Sequence, residues 1–249
     1  MREGSDGVTE DAGVSPLDSV WLSAAGAAES RPGRPSGLNR GQIVRTAIGM
    51  LDRDGLGALS IRRLAAELSV APMSLYWHVP TKDALLEFAL DEVFTEVDPA
   101  AEDLPWQDAV RAVARGIRTA IHAHPWVPGL LGSLMNSGPV SMRLTDSLIG
   151  ALERSEMPRA EIGLAVGTIN NFVYAYAGNE VKWMQRISAQ GVRPEEIHGE
   201  MMRRFTDRYA GELPRIVHYV TRVELGQPGE HFEYGLGKLL AGLASPVRP

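Results

Sequence analysis

The spacing of apolar residues fits α-helices over nearly the whole chain from about residue 38 onward. Intervals of three and four, which place side chains on one helix face, are clearest in Trp106, Val110, Val113, Ile117 and Ile121. No segment alternates apolar and polar residues over the length of a useful strand. No repeat with a period of roughly 20–50 residues occurs, which argues against a solenoid. The sequence therefore predicts an all-α fold.

Composition limits the classes of protein to which this helical chain can belong. With 249 residues, 44% of them hydrophobic, it can bury at least one full-sized core. Because it has no cysteine, disulfides, thiolate metal sites and cysteine nucleophiles are excluded. No apolar run reaches the ~18–20 residues of a membrane span, and the acidic N-terminus does not resemble a secretory signal. We expect a soluble cytoplasmic protein.

Changes in composition divide the chain into three parts. Residues 1–37 are rich in Gly, Ala, Ser and Pro and are predicted to form a disordered N-terminal arm. A break near Pro99 and Pro105 separates a first helical unit, residues 38–98, from a second, residues 99–245. Between positions 31 and 90 there are eight basic side chains against five acidic ones, although the net charge of the whole chain is −6. A phosphate-binding surface is therefore expected there.

Helix start and stop signals predict four helices in the first unit. Asn39, Ser60 and Thr81 are good N-caps for the first, second and fourth of them. The third is short, about 72–78, because a proline follows and disfavours helix at the residue before it. The fourth is predicted to run to about Val97 and to link the two units.

The second and third of these helices have the anatomy of a helix-turn-helix. They flank a three-residue turn, Ala65 is small where they cross, and apolar residues fall where a compact unit needs its core. The outward positions carry hydroxyl, aromatic and cationic groups, which contact phosphates and base edges: Arg62, Arg63, Met73, Ser74, Tyr76, Trp77, His78 and Lys82. The alternative is that the aromatic residues belong to the core.

The same segment resembles a known family. The run Leu75-Tyr76-Trp77-His78-Val79, followed by Lys82, is similar to the end of the recognition helix and the fourth helix of the TetR (tetracycline-repressor) family of transcriptional regulators. Residues 60–68 are similar to the second helix of that family. Residues 232–243 are similar to part of a C-terminal domain of the tetracycline-repressor type.

The resemblance implies roles for eight residues. Arg62 would contact phosphate or a base, and three residues would face the major groove: Pro72, Met73 and Ser74. Four residues would hold the DNA backbone: Tyr76, Trp77, His78 and Lys82. For Trp77 the alternative is packing against its own domain. Since the tetracycline-binding member has a base-reading amide at the position of Pro72, and proline cannot donate, its operator sequence does not transfer to this chain.

Polar residues interrupt a long apolar helix predicted at about 159–186. Asn170, Asn171 and Tyr174 lie within it, and a buried amide without a partner costs ~1–3 kcal/mol. One interpretation is an interhelical or dimer-interface hydrogen bond. The other, favoured by the resemblance, is a mostly apolar ligand cavity, completed by Met135, Asn136 and Trp183.

Two further patterns are less specific. The segment Arg31-Pro32-Gly33-Arg34-Pro35 suits a minor groove, with a solvated tail as the alternative. His122 and His124 are two positions apart, which puts them on different sides of a helix, and no third ligand at metal-binding spacing accompanies them. In the tetracycline-binding member a histidine holds the drug-bound magnesium, and the corresponding stretch here, 129–133, has none. We expect no metal and no cofactor.

The function predicted from these patterns is that of a repressor. It would bind a palindromic DNA operator as a homodimer, through helices near 159–186 and 229–243, and a small-molecule effector would release it. The alternative is a regulator of the same fold that activates, or that binds a protein partner without a small-molecule inducer. A helical enzyme with a DNA-binding appendage is disfavoured, because the sequence has no nucleophile–base or metal set and therefore no catalytic residues.

Overall fold

A computed structural model of the protein describes residues 19–22, 38–134, 136–191, 193–222 and 228–244. These residues form ten α-helices and no strand. None of the helices described is long and apolar enough to cross a membrane. Met135, the basic segment 31–35 and most of the predicted disordered arm lie outside the described residues. The helices are α1 (Arg40–Asp54), α2 (Ile61–Glu67), α3 (Pro72–Tyr76), α4 (Lys82–Val93), α5 (Trp106–Ala123), α6 (Pro139–Glu153), α7 (Arg159–Ser188), α8 (Pro194–Tyr209), α9 (Pro214–Arg222) and α10 (Pro228–Leu243).

Helices α1 to α4 form the first unit, which we call the head. The three predicted N-caps are confirmed, because the side chains of Asn39, Ser60 and Thr81 each accept a hydrogen bond from a backbone N–H of the first turn. Two predicted helix ends are wrong by a few residues. Helix α3 stops at Tyr76, where the chain turns so that Val79 enters the core. Helix α4 stops at Val93, where it tightens into a 3-10 turn, Phe94–Glu96.

Helices α5 to α10 form the second unit, the body. The long helix α7 packs against α5, α6 and α10, so it is covered on several sides, as its apolar sequence requires. Phe172 of α7 stacks on Phe232 of α10 with ring centroids 5.6 Å apart. A Cβ at Gly235 would approach the Phe172 ring to 2.8 Å, so glycine permits the close contact of these two helices. Helices α8 and α9 pack against each other at one end of α7.

Residues Ser19 to Leu22 depart from the predicted disordered arm. Val20 is buried in a short 3-10 turn, and the ring of Trp21 meets Phe88 of α4 edge-on at 5.0 Å. The hydroxyl of Ser19 donates to Oε2 of the buried Glu87 over 2.5 Å. Apolar burial and a paired carboxylate therefore fix this segment onto α4, a long-range contact that a low-complexity sequence does not reveal.

Candidate functional site

The helix-turn-helix is built by α2 and α3. Leu64, Leu75 and Val79 are fully buried between these helices and the rest of the head, and Ala65 is buried at their crossing. The turn passes through Ser69, whose φ of 55° is in the left-handed region that few residues other than glycine adopt. A closed apolar core therefore presents α3 as a rigid surface element.

The outer face of this motif carries all eight residues predicted to contact DNA. Met73 is 70% exposed and Trp77 is 86% exposed, which is unusual for side chains of this size. The alternative that Trp77 packs against its own domain is therefore wrong. The other six residues are exposed or, for Ser74 and His78, half-buried: Arg62, Pro72, Ser74, Tyr76, His78 and Lys82.

Arg62 and Arg63 are neighbours with different surroundings. Arg63 donates to Oδ2 of Asp54 over 2.9 Å and to the carbonyl of Ala58 over 2.7 Å, so it ties α2 to the end of α1. Hydrogen bonds from Arg53, followed by the charges of both arginines, lower the pKa of Asp54. Arg62 and Lys82 form no ion pair with any residue in the described ranges. These two cations can therefore approach a phosphate without first breaking a contact.

A cavity of about 360 Å³ lies between α7 and the turn that follows α5. Two predicted ligand-binding residues, Asn171 and Tyr174, line it. The other described lining residues were not predicted: Pro128, Leu131, Gly132, Ala175, Gly178, Asn179 and Lys182. Positions 171, 175, 178 and 182 recur at helical spacing, which is the signal that could have identified this face of α7.

The structure does not bring all the predicted ligand-binding residues together. Asn170 and Trp183 are not among the described residues that line this cavity, because the helical rotation turns them away from the face that carries Asn171. Asn171 is exposed rather than buried, since the cavity is open to solvent. Asn136 is linked to the cavity through Tyr174, with its Nδ2 3.5 Å from the tyrosine hydroxyl.

A buried carboxylate of α4 lies on the other side of Asn136. Asp91 is 4% exposed and accepts hydrogen bonds from the backbone N–H groups of Val140 and Ser141, over 3.1 and 2.9 Å. It therefore caps the N-terminus of α6. The Ser141 hydroxyl is 2.9 Å from Oδ1 of Asp91 and 2.7 Å from Oδ1 of Asn136. Sequence reasoning missed Asp91, because its partners at Val140 and Ser141 lie about fifty residues further along the chain.

A second concave surface of the body lies outside the candidate site. A groove of about 640 Å³ follows α8, with apolar residues such as Met201 and Phe205 on its floor. The charged side chains at its rim form ion pairs with one another, for example Glu200 with Arg203 and Arg204.

Within the described part of the chain, no group of three His, Asp or Glu side chains could hold a metal ion. His122 lies against Glu180 and His124 against Asp52, on different elements.

Comparison with known proteins agrees with this geometry. The family model for bacterial regulatory proteins of the tetR family matches residues 43–89, and that for the tetracyclin repressor-like C-terminal domain matches residues 98–247. An HTH-type transcriptional regulator of Saccharopolyspora erythraea is 33% identical, with 89% of this chain and 93% of that protein aligned. The HTH-type transcriptional repressor DrrR1 of Streptomyces coeruleorubidus is 27% identical over 96% of this chain and 90% of its own. The TetR family protein ActR of Streptomyces coelicolor, solved in complex with actinorhodin, superposes with a TM-score of 0.72 at 28% identity, covering 85% of this chain and 100% of ActR.

Proposed function

The chain belongs to the TetR family of DNA-binding transcriptional regulators, and from that premise we propose that it is a cytoplasmic repressor released from its operator by a small molecule. It binds a palindromic operator as a homodimer. The observation that carries this proposal is the exposure of Met73 on α3 and of Trp77 just after it, above a fully closed helix-turn-helix core. Large apolar side chains in such a position are explained by a partner surface, and a helix of this motif fits the major groove.

The chemistry of the exposed face supports distinct roles for its residues. Met73 and Ser74 lie on α3, where they can reach base edges, and Pro72 begins that helix. Tyr76, His78 and Lys82 lie at the end of α3 and the start of α4, which suits contacts with phosphates. Backbone contacts of this kind set affinity, and groove contacts set sequence preference.

The cavity beside α7 supports a ligand-controlled function. At about 360 Å³ it has the size of a small-molecule site, and it combines apolar lining residues with the polar groups of Asn171 and Tyr174. The relative ActR has been solved with actinorhodin bound, and DrrR1 is named a repressor. We therefore assign this cavity to the effector of the present protein.

The dimer is proposed to form through α7 and α10. Leu164 of α7 is 73% exposed and Tyr234 of α10 is 69% exposed, so each helix presents a large apolar side chain away from the body. Two copies related by a two-fold axis would bury these faces in a four-helix bundle. A palindromic operator also requires two recognition helices about 34–36 Å apart. A chain that sediments as a monomer at micromolar concentration would contradict this arrangement.

One experiment tests operator binding and ligand release together. Operator fragments selected from random duplex DNA would be footprinted with the wild-type protein and with the double variant Tyr174→Ala, Asn171→Ala, in the presence and absence of actinorhodin and of cell-extract metabolites. We expect protection of a palindrome by both proteins and its loss on ligand addition for the wild type alone. The control Asn170→Ala, on the same helix but outside the described cavity lining, keeps the response.

The alternative regulator without an inducer makes a different prediction in the same experiment. It would protect DNA whatever compound is added, and the double variant would behave as the wild type. A double variant that folds normally but loses operator binding would place Asn171 and Tyr174 in the structural bundle. Either result would refute the assignment of the cavity to an effector.

A further inference from the structure

A continuous polar path joins the cavity to the helix that links body and head. It begins at Tyr174, which lines the cavity, and passes through Asn136 and Ser141 to the carboxylate of Asp91 on α4. The neighbouring heavy atoms are 3.5, 2.7 and 2.9 Å apart along the path. Burial raises the pKa of the Tyr174 hydroxyl, which therefore keeps its proton at neutral pH.

The hydrogen bonds of this path cannot all form with Asn136 in the orientation that the structure shows, in which its Nδ2 faces Tyr174 and its Oδ1 faces Ser141. The Ser141 hydroxyl has one hydrogen, and two acceptors face it, Oδ1 of Asn136 and Oδ1 of Asp91. If the amide turns by about 180°, its oxygen and nitrogen exchange places, a choice that the hydrogen-bond network decides. Tyr174 then donates to the amide oxygen, the amide donates to Ser141, and Ser141 donates to Asp91. Every group in the path is satisfied in this second arrangement.

We infer that the Asn136 amide is a two-position hydrogen-bond switch, through which a ligand with an acceptor oxygen at Tyr174 acts on α4. This inference rests on the proposed ligand response. In the free protein the fully satisfied arrangement holds, and Asp91 receives three donors. A ligand oxygen that takes the Tyr174 hydrogen turns the amide, which then donates to the tyrosine oxygen and accepts from Ser141. Asp91 is left with two backbone donors.

Because Asp91 lies on α4, the loss of one of its hydrogen bonds can affect the head. Its carboxylate holds the N-terminus of α6, and a Cβ at Gly138 would come within 2.2 Å of it, so α4 and α6 are in close contact at this point. Weakening one of three hydrogen bonds to a buried carboxylate loosens that contact. Because α4 begins at Lys82, beside α3, a shift of α4 changes the position of the DNA-contacting face. The ligand class implied is one that presents a carbonyl or similar acceptor oxygen at Tyr174.

The orientation of the amide can be measured in the free wild-type protein. With selective ¹⁵N-asparagine labelling, the side-chain amide protons of Asn136 should show nuclear Overhauser contacts to the β-protons of Ser141. Contacts to the ring of Tyr174 instead would overturn the assignment of the free state. This measurement needs no variant, so it does not depend on the folding of a substituted chain.

A double-mutant cycle on operator affinity tests whether the path acts as a unit. The operator Kd is measured without ligand for Tyr174→Phe, Ser141→Ala and the pair, with Tyr176→Phe as the matched control, because Tyr176 packs in the aromatic cluster with Phe232. We expect the fold-change in Kd of the double variant to be smaller, by about twofold or more, than the product of the fold-changes of the two single variants. In the control pair, Tyr176→Phe with Ser141→Ala, the two effects on Kd should multiply. The variant Ser141→Thr, which retains the hydroxyl, should have the wild-type Kd.

Multiplicative effects for Tyr174→Phe with Ser141→Ala would overturn the switch. That result would leave ligand-released repression standing, because the footprint experiment tests it separately. Conversely, if no compound releases the operator, the proposed function is refuted. The double-mutant cycle still tests the path in that case, because it is measured without ligand. The two failures are therefore distinguishable.

Discussion

Nδ1 of His124, at the end of α5, lies 2.8 Å from Oδ1 of Asp52 in α1, so a body residue and a head residue meet directly. The other ring nitrogen is 3.2 Å from Oε1 of Glu96, just after α4. The indole N–H of Trp126 donates to the same Asp52 oxygen over 2.7 Å. His124 is thus a buried contact between the body and two elements of the head, independent of the path through Asp91.

Replacing His124 by alanine should destabilise the protein by about 1–3 kcal/mol, because it removes a buried side chain together with its hydrogen bonds to two carboxylates, Asp52 and Glu96. The control is His122→Ala. Its ring nitrogen lies 2.9 Å from Glu180, which keeps both hydrogen bonds from Arg118, and the pair is half-exposed, so a loss of ~0–1 kcal/mol is expected. Urea unfolding at neutral pH measures both values, and equal losses would contradict the role given to His124.

The sequence predicted the local structure of the head well because its signals are local. Caps such as Asn39 and Ser60 act within one helical turn, and the core positions of the helix-turn-helix follow from periodicity. The contact of Ser19 with Glu87 joins residues 68 positions apart, and that of Asp91 with Ser141 joins residues 50 apart. No periodicity encodes such pairs. The prediction assigns both Asn170 and Asn171 to the cavity because both are amides within an apolar helix, although adjacent helical residues point about 100° apart.

Lys82→Ala should weaken binding to all operator variants alike, since a contact with the DNA backbone does not depend on the base sequence. The slope of log Kd against log salt should flatten by about one unit, which corresponds to the loss of one phosphate contact. Arg159→Ala removes another exposed positive charge, at the start of α7, and should leave the slope unchanged. Fluorescence anisotropy titrations from low to moderate salt measure both slopes. A variant that alters only the preferred base would refute a backbone role for Lys82.

Trp77→Ala should separate DNA binding from stability. The side chain is 86% exposed, so its removal is expected to change the free energy of unfolding by less than about 0.5 kcal/mol. Loss of a large contact with DNA should lower operator affinity by about tenfold or more. The matched control Leu75→Ala removes a fully buried side chain two residues away, in α3, and should cost about 2–5 kcal/mol of stability. Unchanged affinity in a folded Trp77 variant would exclude this residue from the interface.

Glu87 should make the stability of the head depend on pH through its contact with Ser19. Burial raises the pKa of this carboxyl, although the hydroxyl of Ser19 and the backbone N–H of Val20 both donate to it and oppose the shift. A carboxyl whose pKa is higher in the folded than in the unfolded chain binds protons more tightly when folded. Its contribution to stability is therefore full at low pH and falls as pH rises between the unfolded and the folded pKa.

Glu87→Gln should remove this fall in stability at higher pH, because the amide oxygen still accepts hydrogen bonds from Ser19 and Val20 without a buried charge. We expect little difference from the wild type at about pH 4 and a higher Tm than that of the wild type at neutral pH, because only the wild type then carries a buried charge. Ser19→Ala should instead lower the Tm at neutral pH, since it removes a hydrogen-bond donor to Glu87 and leaves the charge buried. Calorimetric melting of the three proteins across this pH range decides the point. Parallel profiles for the wild type and Glu87→Gln would show that the carboxyl titrates alike in the folded and unfolded chains, which would contradict the role given to its burial.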